Sequence, residues 1–483
     1  MSGVRTRIAP APSGDLHVGV VRTALFSWAF ARRHGGKFLL RVEDTDASRA
    51  TEENYVALQE ILHWVGIDWD EGPGIGGPYA PYRQSERRGI YDDAAAQLER
   101  DGFAYRCYCT PEELAMRNEA ARAAKRAPGY DGHCRRLTAE QRAAYEAEGR
   151  THILRFPMPP GATTFHDLVR GDITIEHIQI PDFALTRSDG APLYILAAAV
   201  DDAIMKLTHI VRGEDLISAT PRQLAIYEAI GHPREEWPQF AHLPLIVADD
   251  GKPLSKRNGE VSLRWYREHG FLPETMRNYL ALLGWSLSAD RELFDTDEMI
   301  AAFDLTRVSK NPARFDIKKL EAINGEKIRA LSAEEFVAVI IPWLEAAGLT
   351  VDRATLDAAA PLVQSRMVRL TEAPELLGFL FVDDDDFYIV DHPLLLGEDV
   401  PQLTRAQYAL EDLEEWTTEG IEAALREALI DGLGLKPKVA FTPVRIAVTG
   451  RKISPPLFES IELLGRDRAL ARIQNALVEI RGF

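Results

Sequence analysis

Residues 7–19 of the chain read RIAPAPSGDLHVG. Two prolines and Gly14 predict an irregular turn directly after a strand, and a helix is expected soon after Gly19. The N-terminus of a helix beside a strand end offers backbone N–H groups and a positive dipole to a phosphate. His17 can donate to phosphate oxygens, and Gly19 lets a purine or a ribose approach the backbone closely. The stretch indicates a nucleotide site, although a single histidine before a helix is more often structural.

Residues 249–259 read DDGKPLSKRNG and form a second candidate element. Lys252, Lys256 and Arg257 accompany Ser255 on a loop flanked by glycines, which should be mobile. Such a loop can clamp the negative charge that develops on a leaving pyrophosphate. Taken alone, it would be interpreted as a solvated basic turn. Its pairing with the first stretch, on the other side of a divided α/β domain, favours an ATP site.

Strands alternate with helices on both sides of residues 110–190. A helix over 23–34, ended by two glycines, precedes a strand over 38–42, and a strand over 207–211 precedes a helix over 219–230. This alternation predicts a doubly wound parallel sheet. Residues 110–190 interrupt it with an Ala/Arg/Glu-rich helical stretch and two β-like runs, so they are interpreted as an α+β insertion.

Helical periodicity dominates the chain from about residue 320 onward. An all-helical C-terminal region is therefore expected. Its predicted helices cover 333–347, 353–363, 421–432 and 466–480.

The composition excludes several classes of protein. With 46% apolar and 27% charged residues, the chain fits a soluble globular protein, and no apolar run approaches the ~20 residues of a membrane span. Residues 1–8 contain no apolar stretch, so we expect no signal peptide and a cytoplasmic location. A net charge of −18 argues against a nonspecific polyanion binder, and three cysteines are too few for a disulfide framework.

The two opening stretches belong to a longer series of ordered sequence blocks. The further blocks are RVEDTD at 41–46, GGPY at 76–79, YRQSER at 82–87, VDD at 200–202, VRGED at 211–215, TPRQ at 220–223, GFLPE at 270–274, TG at 449–450, SPPLF at 454–458 and LLGRD at 463–467. HVGV at 17–20 resembles the HIGH signature of class I aminoacyl-tRNA synthetases, and LSKR at 254–257 resembles their KMSKS loop. The whole series resembles the bacterial, actinobacterial-like glutamyl-tRNA synthetases.

The resemblance implies an α/β fold with a split, doubly wound, Rossmann-like catalytic domain and an α+β insertion, followed by an all-helical anticodon-binding region. The expected domains are 1–109 and 191–248 for the two halves of the catalytic domain, 110–190 for an insertion that binds the acceptor stem, 249–322 for the KMSKS loop and a stem-contact domain, and 323–483 for the helical anticodon-binding domain.

A glutamate site must satisfy two carboxylates and one ammonium group. Arginine forms bidentate pairs with carboxylates that lysine cannot reproduce. The resemblance implies that Arg7 and Arg212 bind the carboxylates, that Glu43 faces the ammonium group and that Tyr194 orients the side chain. The residues that it implies for ATP binding are Gly14, His17, Gly19 and Lys256, and those for catalysis are His17, Gly19, Ser255, Lys256 and Arg257.

The chain departs from the family pattern at three places. Ala11 stands where the family usually has Ser, and Ala198 stands where it often has Asn. Both changes remove polar groups from the expected amino-acid pocket, and each lost hydrogen bond to a charged ligand could cost ~1.5–3 kcal/mol. In the KMSKS-like loop, Pro253 replaces the usual first Lys, with Lys252 one position earlier.

A cluster of cysteines indicates a metal site. The sequence CYC at 107–109 and YDGHC at 130–134 resembles the zinc site of some bacterial family members. Zinc takes four ligands in a tetrahedron, so Cys107, Cys109 and Cys134 need a fourth partner. Tyr130 matches the family position, whereas His133 is in general the better ligand, and Arg136, at another family position, cannot bind metal. The resemblance implies a structural Zn²⁺; the alternative is three reduced cysteines.

The implied reaction joins glutamate to tRNA(Glu) through a glutamyl-adenylate, with ATP as substrate and Mg²⁺ as its cation. The resemblance also implies that tRNA binds before glutamate is activated. Charging of tRNA(Gln) as well stays open, and we expect a monomer that does not bind membranes. In QSRM at 364–367, Arg366 lies where discriminating members place an arginine that reads the third anticodon base.

Two other functions are considered for the chain. A duplicated synthetase with an altered amino-acid pocket would be consistent with Ala11 and Ala198. A catalytically inactive tRNA-binding paralogue would be expected to lose the site residues, yet His17, Lys256, Arg7 and Arg212 are all present.

Overall fold

The structure is a computed structural model that describes residues 3–46, 50–125, 129–254 and 261–481. The chain divides into two compact units. The first contains Met1–Tyr266 and Met276–Asp316, and the second contains Arg267–Thr275 and Ile317–Phe483.

All described strands lie in the first unit. They are β1 (Arg5–Ile8), β2 (Lys37–Leu40), β3 (Tyr105–Cys107), β4 (Ile153–Phe156), β5 (Ala162–Asp167), β6 (Gly171–Glu176), β7 (Phe183–Ala184), β8 (His209–Gly213), β9 (Gln239–Leu243), β10 (Ile246–Val247) and β11 (Ala313–Arg314).

The α-helices of the described residues run through both units. They are α1 (Val18–Arg33), α2 (Glu52–Trp64), α3 (Arg88–Arg100), α4 (Pro111–Ala123), α5 (Ala139–Ala147), α6 (Tyr194–Ile204), α7 (Thr220–Ala229), α8 (Leu263–Glu268), α9 (Pro273–Leu282), α10 (Thr296–Ala302), α11 (Ile317–Ala330), α12 (Ala333–Ala346), α13 (Arg353–Ala359), α14 (Pro361–Gln364), α15 (Ala373–Phe381), α16 (Val400–Glu411), α17 (Thr418–Arg426), α18 (Pro437–Thr449), α19 (Leu457–Leu464) and α20 (Arg466–Arg481). None of them combines the length and the apolarity that crossing a membrane requires.

The sheets of the first unit are mainly parallel where the prediction placed the catalytic domain. β1 pairs with β2 and β8 pairs with β9, both in parallel. Thr208, just before β8, donates its backbone N–H to the Arg5 carbonyl oxygen at 3.0 Å, which joins the two pairs. The predicted α/β class is confirmed.

The hairpin of β5 and β6 extends this sheet, although its residues lie within the predicted insertion. The two strands are antiparallel, and the last residue of β5, Asp167, pairs in parallel with Phe240 of β9. The strand order is β6-β5-β9-β8. A separate antiparallel sheet has the order β3-β4-β7; β4 and β7 belong to the insertion, and β3 lies just before it. Asp167 is thereby placed beside a strand of the catalytic half.

Helix α1 begins earlier than the predicted residue 23 because His17 caps it. The backbone N–H of Gly19 donates to His17 Nδ1, so one of the open donors of the first turn is satisfied. The predicted stop is confirmed: the helix ends at Arg33, and Gly35 has φ +58°. The strand predicted over 38–42 is confirmed as β2, which begins one residue earlier and ends two residues earlier than predicted.

The second unit is helical, as predicted, and its helices bury a shared apolar core. Phe336, Ile340 and Leu344 of α12 are fully buried in this core together with residues of α13 to α20. The single predicted helix over 353–363 is wrong, because Pro361 divides it into α13 and α14. Proline lacks the N–H that would continue the hydrogen-bond ladder and clashes with the preceding turn. α17 continues into a π-helical turn over Glu427–Asp431.

Candidate active site

A cavity of about 550 Å³ opens where β1, β8 and the first turn of α1 meet. Strand ends beside a helix N-terminus are the usual ligand position in a doubly wound sheet. Six of the ten residues expected for glutamate binding, ATP binding and catalysis line this one cavity: Arg7, His17, Gly19, Glu43, Tyr194 and Arg212. Gly14 is not among the lining residues. Ser255, Lys256 and Arg257 lie outside the described residues.

The first turn of α1 forms one end of the cavity, and helix N-termini are able to bind phosphate. His17 is held by the hydrogen bond from Gly19, at 3.0 Å from N to Nδ1. A Cβ on Gly19 would lie 3.3 Å from that same nitrogen, so a larger residue would crowd the capping histidine. Arg22, one turn further along α1, is a lining cation that the sequence analysis missed. Burial lowers its pKa to about 10, and the charge of Glu214 acts against this.

Both flanks of the KMSKS-like loop meet this end of the cavity. Pro253 and Leu254 line it, and the Leu254 N–H donates to the Ile246 carbonyl oxygen at 2.9 Å. On the other flank, the Val261 carbonyl oxygen accepts from the Val18 N–H at 2.9 Å. Of the two residues that flank the loop, Leu254 therefore lies at the cavity wall and Val261 lies beside the first residue of α1.

The guanidinium of Arg212 is buried and has neutral hydrogen-bond partners. Its Nη1 donates to Gln223 Oε1 at 2.7 Å, its Nη2 to Thr220 Oγ1 at 2.7 Å and its Nε to His242 Nε2 at 3.0 Å. Among the described residues, no carboxylate lies within ion-pair distance of Arg212. Burial lowers the pKa of Arg212, yet an arginine stays charged. Arg212 is thus a cation of the cavity with no counter-ion in the part of the chain that the structure describes.

His242 and Asp167 complete this arrangement, and the sequence analysis missed both. His242 Nδ1 and Asp167 Oδ2 are 2.6 Å apart, and both residues are fully buried. Thr220 and Gln223 fall within a quoted sequence block, TPRQ, so a signal for them existed. Asp167 and His242 fall in no such block, because their proximity depends on the pairing of β5 with β9.

The second cationic group belongs to a buried network of charges. Arg7 Nε lies 3.6 Å from Asp202 Oδ1, which also accepts from Arg41 Nη1 at 2.6 Å. Arg41 Nη2 reaches Glu43 Oε1 at 3.1 Å. Burial raises the pKa of Glu43, and the charges of Arg41 and Arg7 act against this.

Asp201 and Asp202 are fully neutralised within this network. Arg87 Nε donates to Asp201 Oδ1 at 2.8 Å, and Tyr91 donates to its Oδ2 at 2.8 Å. Together with Arg41, Arg87 balances the two aspartates. Besides Arg22 and Asp215, which also line the cavity and carry opposite charges, what remains is Arg7, Arg212 and Glu43, that is, two cations and one anion.

The remaining lining positions differ in their access to the cavity. Tyr194 is the first residue of α6 and lines the cavity, and burial raises the pKa of its phenol. Ala11 is an exposed lining residue. Ala198 is fully buried in α6 and is not among the lining residues. Ala11 and Ala198 are the two positions where the family usually has a polar side chain. Only the change at position 11 therefore alters the surface of the cavity directly.

Comparisons with known proteins identify the family of the chain. The family model of the catalytic domain of class I tRNA synthetases (E and Q) matches residues 3–322, and an anticodon-binding-domain model matches residues 335–477.

The similarity to known proteins extends over almost the whole chain. The glutamate–tRNA ligases of a Nocardioides species and of Saccharopolyspora erythraea are both 52% identical, covering 98% of this chain and 98% and 96% of their own lengths. The chain belongs to the class I glutamate–tRNA ligases. The crystal structure of a glutamate–tRNA ligase from Elizabethkingia meningosepticum, in complex with its amino acid, matches with a TM-score of 0.85 at 31% identity, covering 99% of this chain and 100% of that one.

In this glutamate–tRNA ligase family member, the three cysteines form one cluster. Their Sγ atoms all lie within 4.8 Å of one another, with 3.5 Å between Cys109 and Cys134. Tyr130 Oη is 3.4 Å from Cys107 Sγ and accepts from the Cys134 backbone N–H at 2.7 Å. Tetrahedral zinc with Zn–S bonds of about 2.3 Å separates its sulfurs by roughly 3.8 Å. The cluster can hold a metal ion with little movement.

Tyr130 is better placed than His133 to be a fourth ligand. Among the described residues, no His133 nitrogen joins the sulfur cluster. Hydrogen bonds from Cys109 and Cys134 lower the pKa of Cys107, which favours the thiolate that binds metal.

Arg366 lies in the second unit, on the surface just after α14. Its Nη1 donates to the Ser454 carbonyl oxygen at 3.0 Å. Arg445 Nη1 donates to Ser454 Oγ and to the Pro455 carbonyl oxygen, both at 2.7 Å. Burial lowers the pKa of Arg445, and the charge of Arg366 adds to this. The two arginines form a cationic pair at one turn.

Proposed function

We propose that the chain joins L-glutamate to tRNA(Glu), consuming ATP and releasing AMP and pyrophosphate. The observation that carries this proposal is the charge at the cavity and in the buried network behind it, where four guanidinium groups accompany three carboxylates. The lining residues Arg22 and Asp215 add one charge of each sign, so one positive charge stays in excess. Glutamate carries two carboxylates and one ammonium group, the complement of Arg7, Arg212 and Glu43. Glutamine has no net charge and would leave one guanidinium buried without a counter-ion, which is costly.

In the proposed first step, the α-carboxylate oxygen of glutamate attacks the α-phosphorus of ATP. The bond from that phosphorus to the bridging oxygen of pyrophosphate breaks, and glutamyl-adenylate and pyrophosphate form. The charge in this reaction stays on phosphate oxygens, so positioning and electrostatic stabilisation supply the catalysis. The N-terminus of α1, with His17 and Gly19, is suited to hold the phosphates. We also assign Gly14, in the turn before it, to the ATP site.

The KMSKS-like loop is proposed to complete the site. Ser255, Lys256 and Arg257 would stabilise the leaving pyrophosphate, and the flanks of the loop at Leu254 and Val261 support that position. Mg²⁺ bound by the ATP phosphates would neutralise part of their charge.

In the proposed second step, the 2′-hydroxyl of the terminal tRNA adenosine attacks the carbonyl carbon of the adenylate. The ester forms, AMP leaves with the bonding electrons, and the hydroxyl proton is released. We propose that residues 110–190 bind the acceptor end and that the helical region 323–483 binds the anticodon. The proposed enzyme is a monomer of the cytoplasm, where tRNA and ATP are available, and tRNA(Gln) is a candidate second acceptor.

The cysteine cluster is proposed to hold one structural Zn²⁺. Cys107, Cys109 and Cys134 would supply three thiolates, and Tyr130 the fourth ligand. When bound, the metal would cross-link the strand β3 to the turn that carries Cys134.

ATP–pyrophosphate exchange, with and without tRNA and across the twenty amino acids, tests the proposed function. Exchange should occur with glutamate, should require tRNA, and should fall at least a hundredfold with glutamine. Preference for another amino acid would favour a duplicated synthetase, and no exchange with any amino acid would favour an inactive paralogue.

A further inference from the structure

We propose that His242 and Asp167 are positioning residues that orient the Arg212 guanidinium without neutralising its charge. The inference rests on the proposed function, because Arg212 is the group assigned to a substrate carboxylate. It concerns residues of two strands, β9 and β5, that do not line the cavity.

The chain of contacts runs from Asp167 through His242 to Arg212. Asp167 Oδ2 and His242 Nδ1 are 2.6 Å apart, and His242 Nε2 accepts from Arg212 Nε at 3.0 Å. Asp167 and His242 are fully buried, and Arg212 is 3% exposed. Because the three side chains are buried, water has little access to these hydrogen bonds, and their geometry determines the orientation of the guanidinium.

Asp167 is itself fixed by the backbone. Its Oδ1 accepts from the N–H groups of Val169 at 3.0 Å and Arg170 at 2.8 Å, and its Oδ2 from that of His242 at 3.1 Å. Burial alone would raise its pKa, but the hydrogen bond from His242 and those from the backbone lower it. Asp167 is therefore a carboxylate, and it must accept the proton on His242 Nδ1.

This hydrogen bond determines the tautomer of His242. With the proton on Nδ1, Nε2 presents a lone pair, which is the only form that can accept from the Arg212 Nε–H. Burial also lowers the pKa of His242, which favours the neutral ring.

Neutral partners have a consequence for binding. A carboxylate in place of His242 would orient Arg212 equally well, but it would compete with the substrate for the positive charge. With His242, Gln223 and Thr220 as acceptors, one N–H on each terminal nitrogen of Arg212 remains available. The full charge is also left for the ligand.

Two substitutions of His242 separate its two hydrogen bonds. In His242→Gln, the amide can reach the position of Nε2 and accept from Arg212, but the contact with Asp167 is lost. In His242→Asn, the amide can reach the position of Nδ1 and donate to Asp167, but the acceptor for Arg212 is lost. We expect KM for glutamate in the exchange reaction to rise at least tenfold in His242→Asn and about threefold or less in His242→Gln. KM for ATP and kcat should change by less than about twofold in both variants.

His166 provides a matched control. It forms the same contact with an aspartate, 2.6 Å from Nδ1 to Asp172 Oδ1, but on the exposed face of the β5–β6 hairpin. His166→Asn should leave KM for glutamate unchanged. Equal KM values in wild type and His242→Asn would overturn the proposal, as would parallel losses in KM for ATP and in kcat, which indicate a general structural role.

A measurement on the unmodified protein tests the proposal even if a variant fails to fold. Nitrogen NMR of protein labelled at histidine should show His242 protonated at Nδ1 and unprotonated at Nε2, assigned by comparison with His242→Gln or, if that variant does not fold, by through-bond correlation. A proton on Nε2 would overturn the proposal. Absence of glutamate activation in wild type would instead contradict the proposed function, and the tautomer would still decide the role of His242.

Discussion

Arg212 has three neutral acceptors arranged around a planar, forked group. Arg212→Lys keeps the charge but loses the fork, so it cannot satisfy these acceptors and a carboxylate together. We expect kcat/KM for glutamate activation to fall about a hundredfold, which corresponds to roughly 2.7 kcal/mol. The rate of ATP–pyrophosphate exchange at a series of glutamate concentrations measures this kcat/KM. Arg234→Lys is the control, since Arg234 is a surface arginine paired with Glu228; a change below threefold for Arg212→Lys would contradict the assignment.

His209 should make the stability of the first unit depend on pH. Burial lowers its pKa to about 4 from 6.5, and the charge of His34 adds to this. Between these values the unfolded chain binds more protons than the folded one, so the free energy of unfolding falls as the pH is lowered from 6.5 to 4. Above pH 6.5 the contribution is fully present.

Replacing His209 tests this pH dependence. Between pH 6.5 and pH 4, the free energy of unfolding of His209→Gln should fall by roughly 2 kcal/mol less than that of wild type. Urea denaturation at a series of pH values measures the difference. His166→Gln, at an exposed histidine, should behave as wild type. Identical pH profiles for wild type and His209→Gln would show that the ring is not held neutral by the fold.

The sequence predicted six of the residues that line the cavity as site residues, because local motifs identify them. Arg7 and His17 lie in one continuous stretch, and Arg212 follows a strand that could be recognised by its apolar run. His242 and Asp167 escaped prediction for a physical reason. Their roles come from a strand pairing between segments far apart in sequence, and no local pattern specifies that pairing.

At the level of elements, the turn between α1 and β2 is tightly constrained. A Cβ on Gly36 would overlap the Val4 carbonyl oxygen, which accepts the Lys37 N–H beside β1. Gly36→Ala should therefore destabilise the first unit by roughly 2 kcal/mol or more. Gly89, exposed in α3 with open space around it, is the control, and Gly89→Ala should stabilise by ~0.5–1 kcal/mol. Urea denaturation of both variants gives the two values; equal stabilities would contradict the predicted clash.

The cysteine cluster joins β3 to the turn before α5, and the proposed metal should stabilise this part of the insertion. Purified protein should contain about one zinc per chain, and Cys109→Ser should lose it, because two thiolates and a phenol bind zinc weakly. Elemental analysis of protein prepared without chelators provides the measurement. His133→Ala is the control and should keep the metal, since Tyr130 is nearer to the cluster. Zinc-free wild type would contradict the proposed site.

Element boundaries were predicted less well than element types, and each difference has a local cause. The side chain of His17 starts α1 five residues before the predicted position. Pro361 divides a helix whose apolar periodicity continues through it. Periodicity reports which face is buried, whereas caps and prolines determine where a helix begins and ends.

For the molecule as a whole, the prediction concerns which tRNA is charged. The cationic pair of Arg366 and Arg445 meets at the turn of Ser454 and Pro455, and an arginine fork suits the acceptor groups of an unpaired base. Arg366→Ala should lower kcat/KM for tRNA(Glu) about tenfold, since one base contact is worth ~1–3 kcal/mol. The substitution should also reduce any preference of the enzyme for tRNA(Glu) over tRNA(Gln).

Aminoacylation of the two tRNAs, with thermal unfolding as a check on the fold, measures this effect. Arg353→Ala is the matched control, because the charge of Arg353 is already balanced by Asp357 at 2.8 Å. If Arg366→Ala charged both tRNAs at wild-type rates, the anticodon would be recognised elsewhere in the second unit.

The pairing of β5 with β9 has a consequence for protein engineering. Residues 110–190 look like a module that could be exchanged between enzymes, yet Asp167 at the end of β5 supports a group of the catalytic half. A chimera that receives another insertion would keep every residue that lines its pocket and could still lose amino-acid selectivity. The sensible junctions for such a graft leave the β5–β6 hairpin with its host and exchange the segments on both sides of it, because β4 and β7 pair with each other.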